Sequence, residues 1–278
     1  LAFASGQAAT TALLQTLRPG DHVLAGLDGY WATLVLMREV FGAWGIELST
    51  ADLTDPEAVQ AAIRPNTRLL WVETPSNPQL RVAEVAALAR IAHEAGALCA
   101  VDNTAATPVL QQPLALGADV VMHSTTKFIG GHSDLLGGAL VVKQDGDLAK
   151  RLRQVQSLTG GVPSPFDCWL AARGLRTLGL RVRAQSATAL ELARFLESQS
   201  NVEEVFYPGL ESNAGHELAR RQMPEGFGAL LSFTVRGGFD EARAVAGRLK
   251  LFTRATSLGG VESLVKHRKP VESPESPT

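Results

Sequence analysis

The sequence has few of the features that mark secreted, membrane or nucleic-acid-binding proteins. Among its 278 residues are only two cysteines, Cys99 and Cys168, with neither a CxxC pair nor a metal-ligand spacing. We expect both thiols to be buried or half-buried, in a reducing cytoplasm. No apolar run reaches the roughly 20 residues of a membrane-spanning helix. A net charge of −2 gives no basic field for nucleic acid. We therefore expect no nucleic-acid, membrane or metal partner.

The first two thirds of the chain alternate short apolar runs with amphipathic segments. Apolar runs of this length predict buried strands, and the amphipathic segments predict helices. Because apolar strands separated by helices form mostly parallel sheets flanked by helices on both faces, the pattern predicts an α/β fold. The predicted strands are 22–25, 46–49, 69–72, 97–101 and 119–122, and the predicted helices are 6–18, 31–43, 56–64 and 83–95.

The pattern changes near residue 145. Long helical segments come first, followed by a β-α-β-α succession that predicts a smaller α/β C-terminal domain. We expect a large domain over residues 1–180 and a small one over 181–278, bridged by the helix near 181–199. The predicted elements are helices 146–158, 165–199, 214–222 and 239–249 and strands 202–206 and 228–235.

Chemically useful side chains follow three consecutive predicted strands. Asn77 lies shortly after strand 69–72, Asp102 follows strand 97–101, and Lys127 follows strand 119–122. In parallel sheets, ligands bind beyond the carboxyl ends of the strands. The pattern therefore predicts that an amide, a carboxylate and an amine meet at one edge of the sheet.

This combination suits a phosphate-bearing aldehyde cofactor with a ring nitrogen. The amine of Lys127 can bond the aldehyde, while the hydroxyls of Ser124 and Thr126 take the phosphate. Asp102 is the candidate for keeping the ring nitrogen protonated. Each residue alone has a more ordinary explanation, such as a solvated lysine or a turn aspartate. The prediction depends on their joint position at the strand ends.

Two further segments fit the same cofactor. Ser5, Gly6 and Gln7 stand where the first helix begins, with Ser5 as its N-cap, and free N–H groups there attract anions. Tyr30 follows the next strand, where its ring can stack on a flat ligand.

The motifs around these residues resemble those of the Cys/Met-metabolism pyridoxal-phosphate enzymes. This family includes cystathionine gamma-synthase, cystathionine gamma- and beta-lyase, and methionine gamma-lyase. The lysine motif with its trailing Gly-His-Ser-Asp is specific, and the likeness extends over nearly the whole sequence. The matching stretches are Ser5-Gly6-Gln7-Ala8-Ala9, Glu73-Thr74-Pro75-Ser76-Asn77-Pro78, Val101-Asp102-Asn103-Thr104, Ser124-Thr125-Thr126-Lys127, Gly131-His132-Ser133-Asp134, Arg173-Gly174-Leu175-Arg176-Thr177-Leu178 and Ser257-Leu258-Gly259-Gly260-Val261-Glu262-Ser263.

The resemblance implies a fold and a set of roles. The fold is that of the type I pyridoxal-phosphate enzymes, which are similar to aspartate aminotransferase, and the cofactor is pyridoxal 5'-phosphate. By resemblance, Lys127 is the catalytic Schiff-base lysine and Asp102 faces the ring nitrogen. The remaining implied roles are phosphate binding by Gly6, Gln7, Ser124 and Thr126, ring stacking and proton transfer by Tyr30, contact with the ring hydroxyl and the substrate by Asn77, and substrate binding by Ser257.

The implied activity is trans-sulfuration, with β- or γ-elimination on cystathionine or a related sulfur amino acid. One alternative is γ-replacement on O-acyl-homoserine, as in the synthases, and a distant one is a non-catalytic scaffold protein. The sequence departs from the family at Gln7, where methionine is usual. It also departs at Ala32, where methionine gamma-lyases carry cysteine, and at Thr256, where glutamate is common.

The resemblance also implies an assembly and parts outside this sequence. Family members form homotetramers, as dimers of dimers that share active sites. A Tyr and an Arg that complete a neighbour's phosphate site would precede Leu1, and an Arg for the substrate carboxylate would follow Thr278. We therefore expect this chain alone to bind its cofactor weakly. We expect a helix-face ion-pair cluster or a subunit contact from Arg173, Arg176, Arg181 and Arg183, and we expect the basic run 266–269 in solvent.

Overall fold

A computed structural model describes residues 1–268 of the protein. Its central sheet has seven strands. Its strand order is β1-β7-β6-β5-β4-β2-β3. Strands β3, β2, β4, β5 and β6 pair in parallel, whereas β7 and β1 are antiparallel. The strands are β1 Ala2–Phe3, β2 His22–Gly26, β3 Glu47–Ala51, β4 Thr67–Glu73, β5 Leu98–Asp102, β6 Val120–Ser124 and β7 Gly138–Val142.

Helices cover both faces of this sheet. Along β4, Leu69 and Trp71 pack into one apolar cluster, whereas Leu70 and Val72 pack into another on the opposite face. Side chains alternate across a strand, so burial of both sets shows that the strand is covered on both sides. The helices along this part of the chain are α1 Gly6–Leu14, α2 Trp31–Val35, α3 Pro56–Ala62, α4 Val85–Glu94, α5 Thr107–Leu110, α6 Asp147–Thr159 and α7 Pro165–Leu175.

The sheet register places the predicted site residues side by side. Glu73, at the end of β4, lies opposite Asp102, at the end of β5, and Asp102 lies opposite Met122 in β6. Three parallel strands therefore end at one edge, as the sequence predicts. Beyond them the chain runs into the segments that carry Asn77 and Lys127.

The C-terminal part forms smaller sheets around a long helix. Strands β8 and β9 pair antiparallel, and β10 and β11 pair in parallel. An apolar cluster joins this part to the segment after β6, through Phe128, Leu178, Val182 and Met223. The domain boundary at residue 180 stays a prediction. The elements are α8 Leu178–Glu197, β8 Val202–Phe206, α9 His216–Gln222, β9 Ser232–Val235, α10 Gly238–Arg248, β10 Thr253–Arg254 and β11 Leu264–Val265.

Some local expectations were wrong. The helix predicted over 165–199 is two helices, α7 and α8, and Gly174 near the end of α7 abuts Ile129, whose carbonyl oxygen would lie 2.2 Å from an added Cβ. The helix predicted over 31–43 is α-helical only in α2 and continues as a π-helix, Leu36–Phe41. Cys168 is exposed, because it faces outward on α7, whereas Cys99 is buried.

No helix within residues 1–268 is long and apolar enough to cross a membrane. The Pro/Ser/Glu-rich end of the sequence, predicted to be loop-like, lies outside the described residues.

Candidate active site

Lys127 lies three residues beyond the end of β6, at the edge where the parallel strands end. Its Nζ donates a hydrogen bond to Ser257 Oγ at 2.9 Å, across 130 residues of sequence. Partial burial lowers the pKa of the Lys127 amine, because a charged amine is less stable away from water. A larger fraction of the amine is therefore neutral and nucleophilic at a given pH.

The backbone around Lys127 is held from two sides. Arg181 of α8 donates to the carbonyl oxygens of Phe128 and Gly174, each at 2.8 Å. Gly259, with φ of +85°, packs so closely that an added Cβ would lie 2.4 Å from Phe128 N. The ion-pair alternative for Arg181 was wrong, because its partners within residues 1–268 are backbone carbonyl oxygens and Thr177 Oγ1, which local sequence does not reveal. The subunit contact stays a prediction. These contacts fix the lysine relative to α8 and to the segment carrying Ser257.

The start of α1 lies directly against Ser124. A Cβ on Gly6 would lie 3.0 Å from Ser124 Cβ, so only glycine lets the helix approach this closely. Ser5 caps the helix by accepting from Ala8 N at 3.0 Å, as predicted. Within residues 1–268, the N–H groups of Gly6 and Gln7 have no acceptor, and neither does the Ser124 hydroxyl. This corner can bind an anion.

Thr126 lies near this corner, but its hydroxyl is engaged with the backbone. Its Oγ1 accepts from Gly137 N at 3.0 Å and donates to Gly137 O at 3.2 Å. A hydroxyl has one proton to donate, and here it already has an acceptor. Thr104, which the sequence analysis left without a role, accepts from Ser124 N at 2.8 Å and so holds the end of β6 in place.

Two buried carboxyls end neighbouring strands. Burial raises the pKa of Asp102 to about 6, even though its Oδ1 accepts from Thr104 N at 3.0 Å. Burial, together with the nearby Asp102, raises the pKa of Glu73 well above its usual range. Two adjacent carboxyls resist being ionised together, so the pair keeps a proton at pH values where single exposed carboxyls have lost theirs.

Tyr30 stands opposite the end of β4. Its backbone N–H donates to Glu73 Oε2 at 2.6 Å, while about half of the residue remains exposed. The ring is therefore accessible to a ligand, although the backbone beneath it is fixed. Gln7 reaches the same area, where its Oε1 accepts from Thr33 Oγ1 at 3.2 Å.

Asn77 contacts the C-terminal part of the chain. Its Oδ1 accepts from Arg268 Nη1 at 2.6 Å, which leaves its Nδ2 as the group that can donate to a ligand oxygen. The run containing Arg268 was expected in solvent, and that prediction was wrong for Arg268. The guanidinium is also close enough to Glu73 to lower the pKa of that carboxyl, against the larger raising effects of burial and Asp102.

Some predicted site residues contact one another directly, and others only share the same edge of the sheet. The fold brings Lys127 and Ser257 into contact, and it brings Gly6 to Ser124. It also places Asp102, Tyr30 and Asn77 at the same edge through Glu73 and Arg268. Sequence reasoning missed the contacts of Thr104, Glu73 and Arg181. Only the positions of Glu73 at the end of β4 and of Thr104 two residues beyond β5 signalled them.

These residues fit pyridoxal phosphate. The tight approach of Gly6 to Ser124 leaves two free N–H groups and a free hydroxyl together, which suits a phosphate. Lys127 supplies an amine with a lowered pKa, and Asp102 supplies a buried carboxyl whose Oδ1 accepts from Thr104 N. The donor set matches the cofactor's phosphate, aldehyde and ring nitrogen.

Comparisons with known proteins find close relatives over most of the chain. A probable cystathionine gamma-synthase of Herpetosiphon aurantiacus is 49% identical over 251 residues, covering 90% of this chain and 78% of that protein. A cystathionine gamma-lyase of Bacillus subtilis (strain 168) is 48% identical over 264 residues, covering 95% and 69%.

Among solved structures, metB from Corynebacterium glutamicum superposes with a TM-score of 0.94 at 46% identity, covering 97% of this chain and 70% of that one. The expected α/β fold of the type I pyridoxal-phosphate enzymes is therefore confirmed. The family model described as Cys/Met metabolism PLP-dependent enzyme matches residues 1–275. The chain belongs to this family, and pyridoxal phosphate is its cofactor.

Proposed function

We propose that this chain carries out trans-sulfuration on a sulfur-containing amino acid, with its cofactor held on Lys127. The observation that carries the proposal is the contact between Lys127 Nζ and Ser257 Oγ at 2.9 Å, at the edge where Asp102 ends its strand. It brings an amine with a lowered pKa, a hydroxyl and a buried carboxyl into one site. A non-catalytic scaffold would have no need to keep this amine activated.

The proposed roles follow from the contacts. When bound, the cofactor supplies an electron-withdrawing ring that stabilises negative charge at the substrate α-carbon. Asp102 holds the ring nitrogen protonated, and Lys127 Nζ takes the α-proton and returns a proton to the leaving side. Ser257 orients the lysine between these tasks. Gly6, Gln7 and Ser124 bind the phosphate, with Thr126 contributing less because its hydroxyl bonds Gly137.

The remaining contacts suggest how the rings and the substrate are placed. Tyr30 stacks on the cofactor ring and assists proton transfer. Asn77 uses Nδ2 toward the ring hydroxyl and the substrate carboxylate, since Oδ1 accepts from Arg268. These roles predict that substitutions at Tyr30 weaken catalysis more than phosphate binding.

Two reactions are candidates within this proposal. The first is β- or γ-elimination on cystathionine or a related amino acid, as in relatives named cystathionine gamma-lyase. The second is γ-replacement on O-acyl-homoserine, favoured by relatives named cystathionine gamma-synthase at 49% identity. Ala32 counts against methionine gamma-lyase activity, and Thr256 favours a substrate whose distal group differs from that of cystathionine.

A homotetramer in the cytoplasm completes the proposal. Leu158, Val162, Phe166 and Trp169 lie exposed near the end of α6 and the start of α7, with the last two rings stacked at 5.8 Å between centroids. Exposed apolar side chains this close together suit a subunit contact. Sedimentation of the purified chain tests the assembly, and a monomer at every concentration contradicts it.

The function is tested by assaying cystathionine, methionine, cysteine and O-acyl-homoserine with pyridoxal phosphate. Ketoacid formation identifies elimination, and thioether formation identifies replacement. Lys127→Ala should abolish both products and the visible absorbance of the bound cofactor, because no amine remains to bond it. Lys143→Ala, on an exposed lysine after β7, serves as the control. Equal turnover in Lys127→Ala and the unchanged chain would refute the assignment.

A further inference from the structure

Glu73 lies between Tyr30 and Asp102. In the proposed function, Tyr30 stacks on the cofactor ring and Asp102 faces the ring nitrogen. Glu73 Oε2 accepts the backbone N–H of Tyr30 at 2.6 Å. At the end of β4 it is also the register partner of Asp102 at the end of β5. The turn before Tyr30 packs onto the same carboxyl, because a Cβ on Gly29 would lie 3.7 Å from Glu73 Oε2.

We propose that Glu73 is a positioning residue that ties Tyr30 to Asp102: its carboxyl fixes the backbone below the stacking ring and shares a proton with the carboxyl that faces the ring nitrogen. This inference rests on the proposed function, since it assumes that Tyr30 and Asp102 flank the cofactor.

The first half of the inference is mechanical. Tyr30 immediately precedes α2, and no side chain caps that helix. The N–H of Tyr30 therefore has Glu73 as its anchor, in place of a helical partner. Charge-assisted hydrogen bonds to backbone N–H groups are short and strong. Loss of this anchor would free the turn and let the ring shift relative to a ligand.

The second half is electrostatic. The groups facing Glu73 are Asp102 of β5, Asp28 of the turn after β2, Arg268 beyond β11 and the N–H of Tyr30. Burial and Asp102 raise the pKa of Glu73 most, Asp28 raises it less, and the Tyr30 N–H and Arg268 lower it without outweighing burial and Asp102. A cationic ring nitrogen beside Asp102 favours the Asp102 anion, so the shared proton settles on Glu73. Glu73 thus lets Asp102 stay ionised without placing two adjacent negative charges in the site.

Two substitutions separate the halves. Glu73→Gln keeps an oxygen that can accept from Tyr30 but removes the titrating neighbour of Asp102. Glu73→Leu removes both. Glu47→Gln, on the exposed residue that begins β3, is the matched control.

The first measurement follows the Glu73 carboxyl by carbon-13 NMR in cofactor-free protein, with the signal assigned by its loss in Glu73→Gln. Asp102→Asn should lower the pKa of Glu73, because the charge of the neighbouring carboxyl is gone. Glu47→Gln should leave the pKa of Glu73 where it is. An unmoved Glu73 titration in Asp102→Asn overturns the proton sharing, because this variant keeps the shape of the original side chain and removes only its charge.

The second measurement compares the dissociation constant of pyridoxal phosphate and the near-ultraviolet circular dichroism of the bound cofactor. Glu73→Leu should weaken binding about tenfold and alter the dichroism, since a stacking ring that moves changes both the contact and the asymmetry around the cofactor. Glu73→Gln should change the dichroism less than Glu73→Leu. Equal binding and dichroism in Glu73→Leu and the unchanged chain overturn the positioning role.

Failure of the proposed function gives a different result. If Lys127→Ala leaves the cofactor absorbance of the unchanged chain intact, the assignment of Lys127 fails and the cofactor measurements on Glu73 lose their basis. If Lys127→Ala removes that absorbance and the Glu73 variants change nothing, only the Glu73 inference fails.

Discussion

Two buried polar groups of residues lie at the same end of the sheet, and they differ in how fully they are hydrogen-bonded. The first is an amide network of Asn103, Gln111 and Gln222. Asn103 Oδ1 accepts from Gln111 Nε2, and Gln111 Oε1 accepts from Gln222 Nε2, both at 2.8 Å. Gln222 Oε1 in turn accepts from Val85 N at 3.0 Å, which links α9 to α4.

The second group is the carboxyl edge formed by Asp28, Glu73 and Asp102. Asp28 is 6% exposed, and its Oδ2 is buried with no hydrogen-bond partner among residues 1–268. Asp102 and Glu73 both have raised pKa values, because burial penalises their charged forms. Lys127, at the same edge, has a lowered pKa for the same reason.

This difference in hydrogen bonding distinguishes polar groups buried for stability from polar groups buried for function. A network whose members all have partners stabilises one arrangement of the chain. Charged groups buried with few partners cost stability, and proteins keep such groups mainly where they bind or react. The amide network therefore secures the packing of α9 against the large sheet, while the carboxyl edge is the part reserved for the cofactor.

The largest effect is expected from Asp102→Asn. Activity should fall about 1,000-fold, because an amide cannot hold the ring nitrogen protonated as a carboxylate does. The cofactor-free protein should nevertheless become more stable at about pH 8, by about 3 kcal/mol. The raised pKa of Asp102 means that its stabilising contribution is present at low pH and is lost as pH rises through about 6.

Urea unfolding of cofactor-free protein at about pH 8 and at about pH 4 tests this sign. The gain in Asp102→Asn should shrink at the lower pH, where the folded Asp102 carboxyl is itself protonated and carries no charge. A variant that is less stable at both pH values would place Asp102 with the amide network, as a structural residue.

Breaking the amide network should destabilise the protein, whereas Asp102→Asn should stabilise it. Gln222→Leu leaves Gln111 Oε1, Val85 N and Ala83 O without partners. The free energy of unfolding should fall by about 2–4 kcal/mol, since buried groups that lose partners pay their desolvation cost. Gln60→Leu, on the exposed face of α3, is the control. Urea denaturation measures the loss, and a change within error of that control would contradict the structural role.

The pH dependence of stability should reveal a buried neutral histidine. Burial lowers the pKa of His123 from the ordinary 6.5 to about 4. The unfolded chain therefore binds a proton first as pH falls between these values, and stability drops by up to about 3 kcal/mol. His123→Gln should flatten this part of the profile. An unchanged slope in His123→Gln would show that His123 titrates normally.

The smallest effect is expected at Ser257. Ser257→Ala removes the hydroxyl that accepts from Lys127 Nζ, and kcat/KM should fall about fivefold, which corresponds to one ordinary hydrogen bond. Ser257 has φ of +108°, a conformation that favours glycine. Ser257→Gly therefore removes the hydroxyl while relieving the backbone. Equal losses in the two variants assign the effect to the hydroxyl, and an unaffected rate in Ser257→Gly would assign it to the backbone instead.

The sequence predicts the parallel part of the fold because each strand and helix there has its own local periodicity. Strand β7 was missed, since Gly138–Val142 pairs antiparallel through a turn that no periodicity signals. Lys127 and Asp102 could be predicted because strand ends in parallel sheets face one edge.

The contacts of Glu73, Arg181 and Arg268 could not be predicted in the same way. They depend on partners 43, 53 and 191 residues away in the chain, which only the packing brings together. Thr126 was predicted from its spacing to Lys127, but the hydrogen bonds between its hydroxyl and Gly137 were not. Gly137 directly precedes β7, a strand that the sequence did not predict.

Reductive trapping of the cofactor tests the central claim most directly. The chain is incubated with pyridoxal phosphate, reduced with borohydride, digested and mapped by mass spectrometry. The account predicts that the pyridoxyl-phosphate adduct forms on Lys127 and is absent from Lys127→Ala. An adduct distributed over exposed lysines such as Lys143, or unchanged in Lys127→Ala, would contradict it.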